Sequence, residues 1–222
     1  MNNIIICIGT VGRPTFKKCY DLVSENYKNH KSVKKIEIIK DIKPKSAWLN
    51  EMAKTSLNYD WCLQVDEDMY LYKNALDELF DFAIKEKNKG IKIANASCML
   101  KDLFLGYNVG SLKLWNTEVF KHVEFKEVLG SDRQFAKDAE KFGFINIAIN
   151  KVLADHDSAP TPEIAYKKYL EYAEKIYKFS GKEESLKLNL YLKNKYSKEK
   201  SLISKMAYYG SNSFFRKREK HD

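Results

Sequence analysis

Tyr59-Asp60-Trp61-Cys62-Leu63-Gln64-Val65-Asp66-Glu67-Asp68 is the stretch that decides how this chain reads. A mostly apolar run ends abruptly in three carboxylates, and a short apolar run bounded in this way predicts a buried strand with the acids at its carboxyl end. Upstream, Ala47 to Leu57 has helical periodicity, and Lys35-Ile36-Glu37-Ile38-Ile39 is a β-rich segment ending at Asp41. Before that, Phe16 to Tyr27 places Cys19, Leu22, Val23 and Tyr27 at helical spacing. The chain opens with Ile4-Ile5-Ile6-Cys7-Ile8, bounded by Gly9-Thr10-Val11-Gly12. The order β-α-β-α-β predicts a mostly parallel sheet with helices on its faces, and in such sheets ligands bind beyond the carboxyl ends of the strands.

Downstream, Asn74 to Glu86 and Ser131 to Phe142 read as helices, the second closed by Gly143. Ile91 to Met99, Val109 to Leu114 and Phe144 to Leu153 read as strands, the last delivering Asp155-His156-Asp157 at its end. After Pro160-Thr161-Pro162 the pattern turns helical, and the closing Arg216-Lys217-Arg218-Glu219-Lys220 is expected to fray. The expected architecture is α/β: a single Rossmann-like domain over residues 1–160, followed by a basic helical extension over 161–222.

Composition bounds the alternatives. With 222 residues and 44% apolar content the chain can bury a sizeable core, which excludes disordered and collagen-like classes. The charge of +9 is uneven: residues 1–162 carry a net +2 and residues 163–222 a net +7. No run approaches the roughly 20 apolar residues of a membrane span, and no secretory signal pattern opens the chain. A cytoplasmic location is expected, with the basic tail suited to the periphery of an anionic membrane. Cys7, Cys19, Cys62 and Cys98 lack CxxC spacing and read as reduced core thiols.

Several groups could carry chemistry. Asp66 and Asp68 at a strand end suit a hard divalent cation that completes its shell with phosphate oxygens and water; the plainer alternative is an acidic turn in solvent. His156 could ligate Mn2+ or donate to a phosphate, or be a satisfied structural histidine. Asp132 could serve as a general base or merely favour the start of its helix. Gly9 to Pro14 lacks both the P-loop ending and GxGxxG, so it reads as a strand-end turn able to pack a nucleobase or ribose. Lys45, Asn50 and Asp41 carry little signal singly, and Trp48 reads as core.

In this order the segments resemble the nucleotide-sugar glycosyltransferases of the A-type fold, and among them the family 2-like group. The likeness runs from about Asn3 to Asp157. Ile4 to Pro14 resembles the opening strand and its Thr-x-x-Arg-Pro turn, Lys45-Ser46-Ala47-Trp48-Leu49-Asn50 a helix bearing a basic residue and Asn, and Gln64 to Asp68 the Asp-x-Asp motif. Gly110 to Trp115 resembles the strand lining the acceptor side, Gly130 to Phe135 the Glu-Asp helix, and His156 the late histidine. Two departures stand out: Ser131 occupies the place of the usual Glu, and the paired acids after the second strand are reduced to Asp41.

The resemblance implies transfer of a sugar from a nucleoside diphosphate sugar to an acceptor hydroxyl with inversion, in the synthesis of a surface glycan, polysaccharide or glycoprotein. It implies Mn2+ or Mg2+ held by Asp66, Asp68 and His156, donor contacts from Thr10, Arg13, Asp41, Lys45, Asn50, Asp66 and Glu67, and Asp132 as base. The acceptor would be a glycan, or lipid-linked or protein-linked. The competing class is a basic protein without catalysis that binds nucleic acid or a membrane surface; nucleic acid is disfavoured, because tyrosines at helical spacing more often belong to a core and the basic surplus is modest.

Overall fold

The computed structural model describes residues 3–218, which form two compact units, Met1–Asp157 and Ser158–Asp222. The first unit runs β1 (Ile4–Thr10), α1 (Phe16–Tyr27), β2 (Val33–Lys40), α2 (Lys45–Ser56), β3 (Trp61–Asp66), β4 (Met69–Leu71), α3 (Ala75–Lys87), β5 (Ile93–Asp102), β6 (Asn108–Asn116), a 3-10 turn (Thr117–Lys121), α4 (Ser131–Glu140) and β7 (Ile145–His156). Its seven strands lie in the order β2-β1-β3-β6-β5-β7-β4. The sheet is mostly parallel: β6 runs against β3 and β5, and β4 runs against β7.

The unbroken apolar run of β1 follows from burial on both faces. Ile4, Ile6 and Ile8 pack with Cys19 and Val23 of α1 and Leu76 and Leu79 of α3. Ile5 and Cys7 point the other way, onto Leu49 and Met52 of α2 and Phe135 of α4. All four cysteines are free and buried.

The acidic triplet does not end in an open turn. Asp66 closes β3, and three residues later Met69 opens β4, four places further along the sheet. On a flat sheet four strand spacings of about 4.8 Å would separate them by roughly 19 Å. The three peptide steps from Asp66 to Met69 reach at most about 11 Å. The sheet must therefore curl, and β4 seals it by pairing Met69 with His156, Tyr70 with Asp155 and Leu71 with Ala154. The expected strand from Phe144 to Leu153 thus extends to His156, because β4 supplies a partner for its last residues.

The second unit consists of α5 (Pro162–Ser180), α6 (Lys182–Glu199) and α7 (Leu202–Arg218). The Thr161 side chain accepts from the Ile164 amide and Pro162 fills the first turn, as helix starts favour. Small residues let α5 and α7 approach closely, with Gly210 directly against the Tyr166 carbonyl. The expected fraying does not reach Arg218, which is helical; Glu219 and Lys220 lie outside the described residues. No helix among the described residues is long and apolar enough to cross a membrane.

Candidate functional site

Parallel pairing of β1 and β3 sets Gly9 beside Asp66, so the turn after β1 meets the triplet after β3. Glu67 organises that meeting. It is 5% exposed, and its carboxylate accepts from the Thr10 hydroxyl, the Val11 amide at 3.2 Å and the Arg13 amide at 2.9 Å. The Arg13 guanidinium stands 3.4 Å away. Glu67 and Thr10, both expected to face the donor, are instead bonded to each other and shape the loop that presents Arg13.

Asp68 is 3% exposed and receives the Arg13 guanidinium at 3.0 Å. His156 Nε2 lies 3.6 Å from the same carboxylate oxygen, and His156 Nδ1 is 2.9 Å from Asp102 Oδ2. Asp102 is itself pinned, its other oxygen accepting from the Phe104 and Leu105 amides at 3.0 and 2.7 Å. Strand alternation explains why His156 alone of its tripeptide faces Asp68: Asp155 and Asp157 point elsewhere and accept from the Tyr72 and Tyr70 hydroxyls at 2.8 and 3.0 Å. Asp102 carried no signal in the sequence, being an isolated acid at the end of β5. It becomes visible only when β5 and β7 pair in parallel with Asp102 opposite His156.

Asp66 pairs with Lys45, the first residue of α2, at 3.1 Å. The neighbouring Asp66 carboxylate, after it burial, and then Asp68 and Asp132 act on Lys45, leaving its pKa raised. Asp132 lies in the first turn of α4 with its side chain 37% exposed, 3.3 Å from the ammonium of Lys113 on β6. Burial lowers the pKa of Lys113 against the opposing pull of Asp132. Asp66, Asp68 and Asp132 thus act on one pair of lysines. Cys19 donates to the Asp66 carbonyl at 3.7 Å, and its thiol is pushed up to about 12 by burial and then by the three nearby acids, so it stays protonated and is no nucleophile.

Two expected donor contacts are placed differently. Asn50 clamps the Phe125 backbone with both ends of its amide, at 2.9 and 2.8 Å, which fixes the amide on that backbone. It holds the segment leading to α4. Asp41, exposed and with φ of 58°, donates its amide to the Thr10 carbonyl at 2.9 Å, so its backbone braces the β1 turn.

The donor set can be tested against a divalent cation. Two ligands about 2.1–2.2 Å from one Mn2+ or Mg2+ at near-right angles stand roughly 3.0–3.6 Å apart, which matches Asp68 Oδ2 and His156 Nε2 at 3.6 Å. Asp102 on Nδ1 is the partner that aims a ligating imidazole. Among the described residues no cluster of three or more His, Cys, Asp or Glu could hold a metal alone. Such a cation commonly takes only one or two protein ligands and fills its shell with phosphate and water. The residues fit a phosphate-borne cation, with Arg13 as competitor for Asp68.

No family profile and no curated protein sequence matches the chain. Solved structures do. A mannosyltransferase from Pyrobaculum calidifontis, PcManGT, solved with GDP-Man and Mn2+, is similar at TM-score 0.56 and 10% identity over 80% of this chain and 64% of that one. Glucosyl-3-phosphoglycerate synthase from Mycobacterium tuberculosis, solved with Mn2+, UDP-glucose and glycerol 3-phosphate, is similar at TM-score 0.56 and 10% identity over 79% of each chain. S. aureus TarS 1-349 gives 0.52 and 13%, over 79% of this chain and 65% of that one. The chain thus spans just under two thirds of the TarS and mannosyltransferase chains. At these identities the likeness establishes the fold, which is that of the A-type nucleotide-sugar glycosyltransferases.

Proposed function

We propose that this protein transfers a sugar from a nucleoside diphosphate sugar to an acceptor hydroxyl, with Mn2+ or Mg2+ as cofactor. The observation that carries the reading is the convergence of Asp68, His156 and Asp102, from three distant segments, beyond or at the carboxyl ends of β3, β7 and β5, where α/β sheets bind ligands. Mn2+ accompanies the nucleotide sugar in two of the similar structures.

Breaking the anomeric bond leaves negative charge on the departing diphosphate. Asp68 and His156 would hold the cation, which when bound supplies positive charge to that leaving group. Lys45 and Arg13, paired with Asp66 and Asp68, would supply further positive charge beside that leaving group. Asp132, half-exposed and paired with Lys113, would accept the proton of the acceptor hydroxyl. One base suffices for direct displacement, so the course is inverting. Glu67, Thr10, Asn50 and Asp41 act by shaping the loops that carry these groups.

The test is release of nucleoside diphosphate from a panel of UDP- and GDP-sugars, with Mn2+, with Mg2+ and with EDTA. Turnover is expected with one donor and is abolished by EDTA and by Asp68→Ala. Full turnover by Asp68→Ala, or no donor bound by any measure with Mn2+ present, would overturn the proposal.

A further inference from the structure

Within the helical unit, α5, α6 and α7 enclose an open recess of about 190 Å3 whose lining includes Tyr177, Lys182, Leu186, Asn189 and Arg218. That is smaller than the roughly 300–1,000 Å3 of ordinary small-molecule sites, too small for a nucleotide and suited to a headgroup. The Arg218 guanidinium lies over the Tyr177 ring, 4.4 Å from its centroid. A stacked guanidinium keeps its N–H donors in its own plane, free at the edge for an anion. Among the described residues neither Arg218 nor Lys182 has a carboxylate partner, whereas Lys187 and Lys195 of the same unit do. The Asn189 Nδ2 atom is buried without a hydrogen-bond partner, an arrangement that is unfavourable unless something accepts from it.

Two cations and an unused amide donor converging on one small recess suit a phosphate group. The rim says where that phosphate resides. Leu186 is 44% exposed and Leu190, one turn along the same helix face, is 57% exposed. Single exposed leucines are ordinary, but Leu186 lines the cationic recess, Leu190 extends its face by one turn, and residues 163–222 carry a net +7. We propose that the recess binds the phosphate of an anionic phospholipid headgroup, with Leu186 and Leu190 against the acyl boundary, so that the helical unit docks the protein on a membrane surface.

The experiment is sedimentation of the full-length protein with vesicles of phosphatidylcholine alone or mixed with phosphatidylglycerol. Wild-type protein should prefer the mixed vesicles. Lys182→Gln with Arg218→Gln should weaken that binding about 25-fold, since each basic residue at such a surface is worth about fivefold. The charge-matched control Lys193→Gln with Lys198→Gln, both exposed on the same unit, should cost clearly less. Asn189→Leu, which removes an unpartnered donor and no charge, should also weaken binding. Equal losses in the recess and control variants, or equal binding to both vesicle types, would overturn the proposal. So would glycerol phosphate perturbing the Asn189 amide resonance while recess variants sediment like wild type, which would assign the recess to a free phosphate.

Discussion

His156 Nδ1 lies 2.9 Å from Asp102 Oδ2, while its Nε2 faces Asp68 at 3.6 Å. The imidazole is thus held by one buried carboxylate and aimed at another, and the aiming residue is the one with a testable role of its own. Asp102→Asn keeps an oxygen for the Phe104 and Leu105 amides but weakens the grip on His156. Mn2+ affinity, read by electron paramagnetic resonance of the free ion, should fall about 10–100-fold while the thermal midpoint stays near wild type. Unchanged Mn2+ affinity would remove Asp102 from this role.

Glu67→Ala leaves the Val11 and Arg13 amides without their acceptor in a loop where Glu67 is buried, Arg13 half-buried and Val11 exposed. Because water can reach these amides, each lost hydrogen bond is worth its ordinary net contribution of about 0.5–1.5 kcal/mol in urea unfolding, with a smaller loss for Glu67→Gln. Donor KM should rise in Glu67→Gln because Arg13 loses its anchor. A glutamine variant with wild-type stability and KM would show that the loop stands without the carboxylate.

Lys113 offers a pH test. Burial lowers its pKa below the ordinary 10.5, so the folded state binds that proton less tightly than the unfolded chain does. The charged lysine therefore costs stability below its folded pKa, and the cost fades as pH rises toward 10.5. The thermal midpoint of Lys113→Met, relative to wild type, should be highest at neutral pH and decline toward about pH 10. In kinetics, losing the ammonium 3.3 Å from Asp132 should lower kcat, because that ion pair fixes where the Asp132 carboxylate points. An unchanged kcat would mean that Lys113 does not position Asp132.

Two glycines should differ sharply on substitution by alanine. A Cβ on Gly210 would sit 2.1 Å from the Tyr166 carbonyl oxygen, which is backbone and cannot swing away. Gly210→Ala should destabilise the helical unit by about 1–3 kcal/mol or more. A Cβ on Gly9 would meet the Trp48 ring at 3.1 Å, a side chain that needs to yield only a few tenths of an ångström. Gly9→Ala should therefore cost less, and its effect should appear at Lys45 on the same helix as weaker donor binding. Calorimetry of both variants checks the ranking.

Much of this was legible in the residues in order. Alternation of short apolar runs with amphipathic segments, the carboxylates after Val65, and the Pro162 start of the helices are local signals, and period and turn chemistry act over a few residues. Asn50 shows where such signals end: nothing within Lys45 to Asn50 says that its amide would be spent on Phe125, 75 residues away. Glu67 and Asp102 show the same limit from either side, one acid expected at a ligand and found holding a loop, the other unremarked and found holding His156.

The sequence by itself determined the α/β class, the elements and the strand end that carries Asp66 and Asp68, because burial and backbone preference are written in neighbouring residues. Only the tertiary structure decided that the sheet curls, that β4 seals it against β7, and that His156 meets Asp68. It also decided which cation each carboxylate faces. Those outcomes depend on strand order and on distances of 3 to 4 Å between residues far apart in the chain, and Coulomb and hydrogen-bond energies depend on spatial separation, orientation and surroundings, not on distance along the chain.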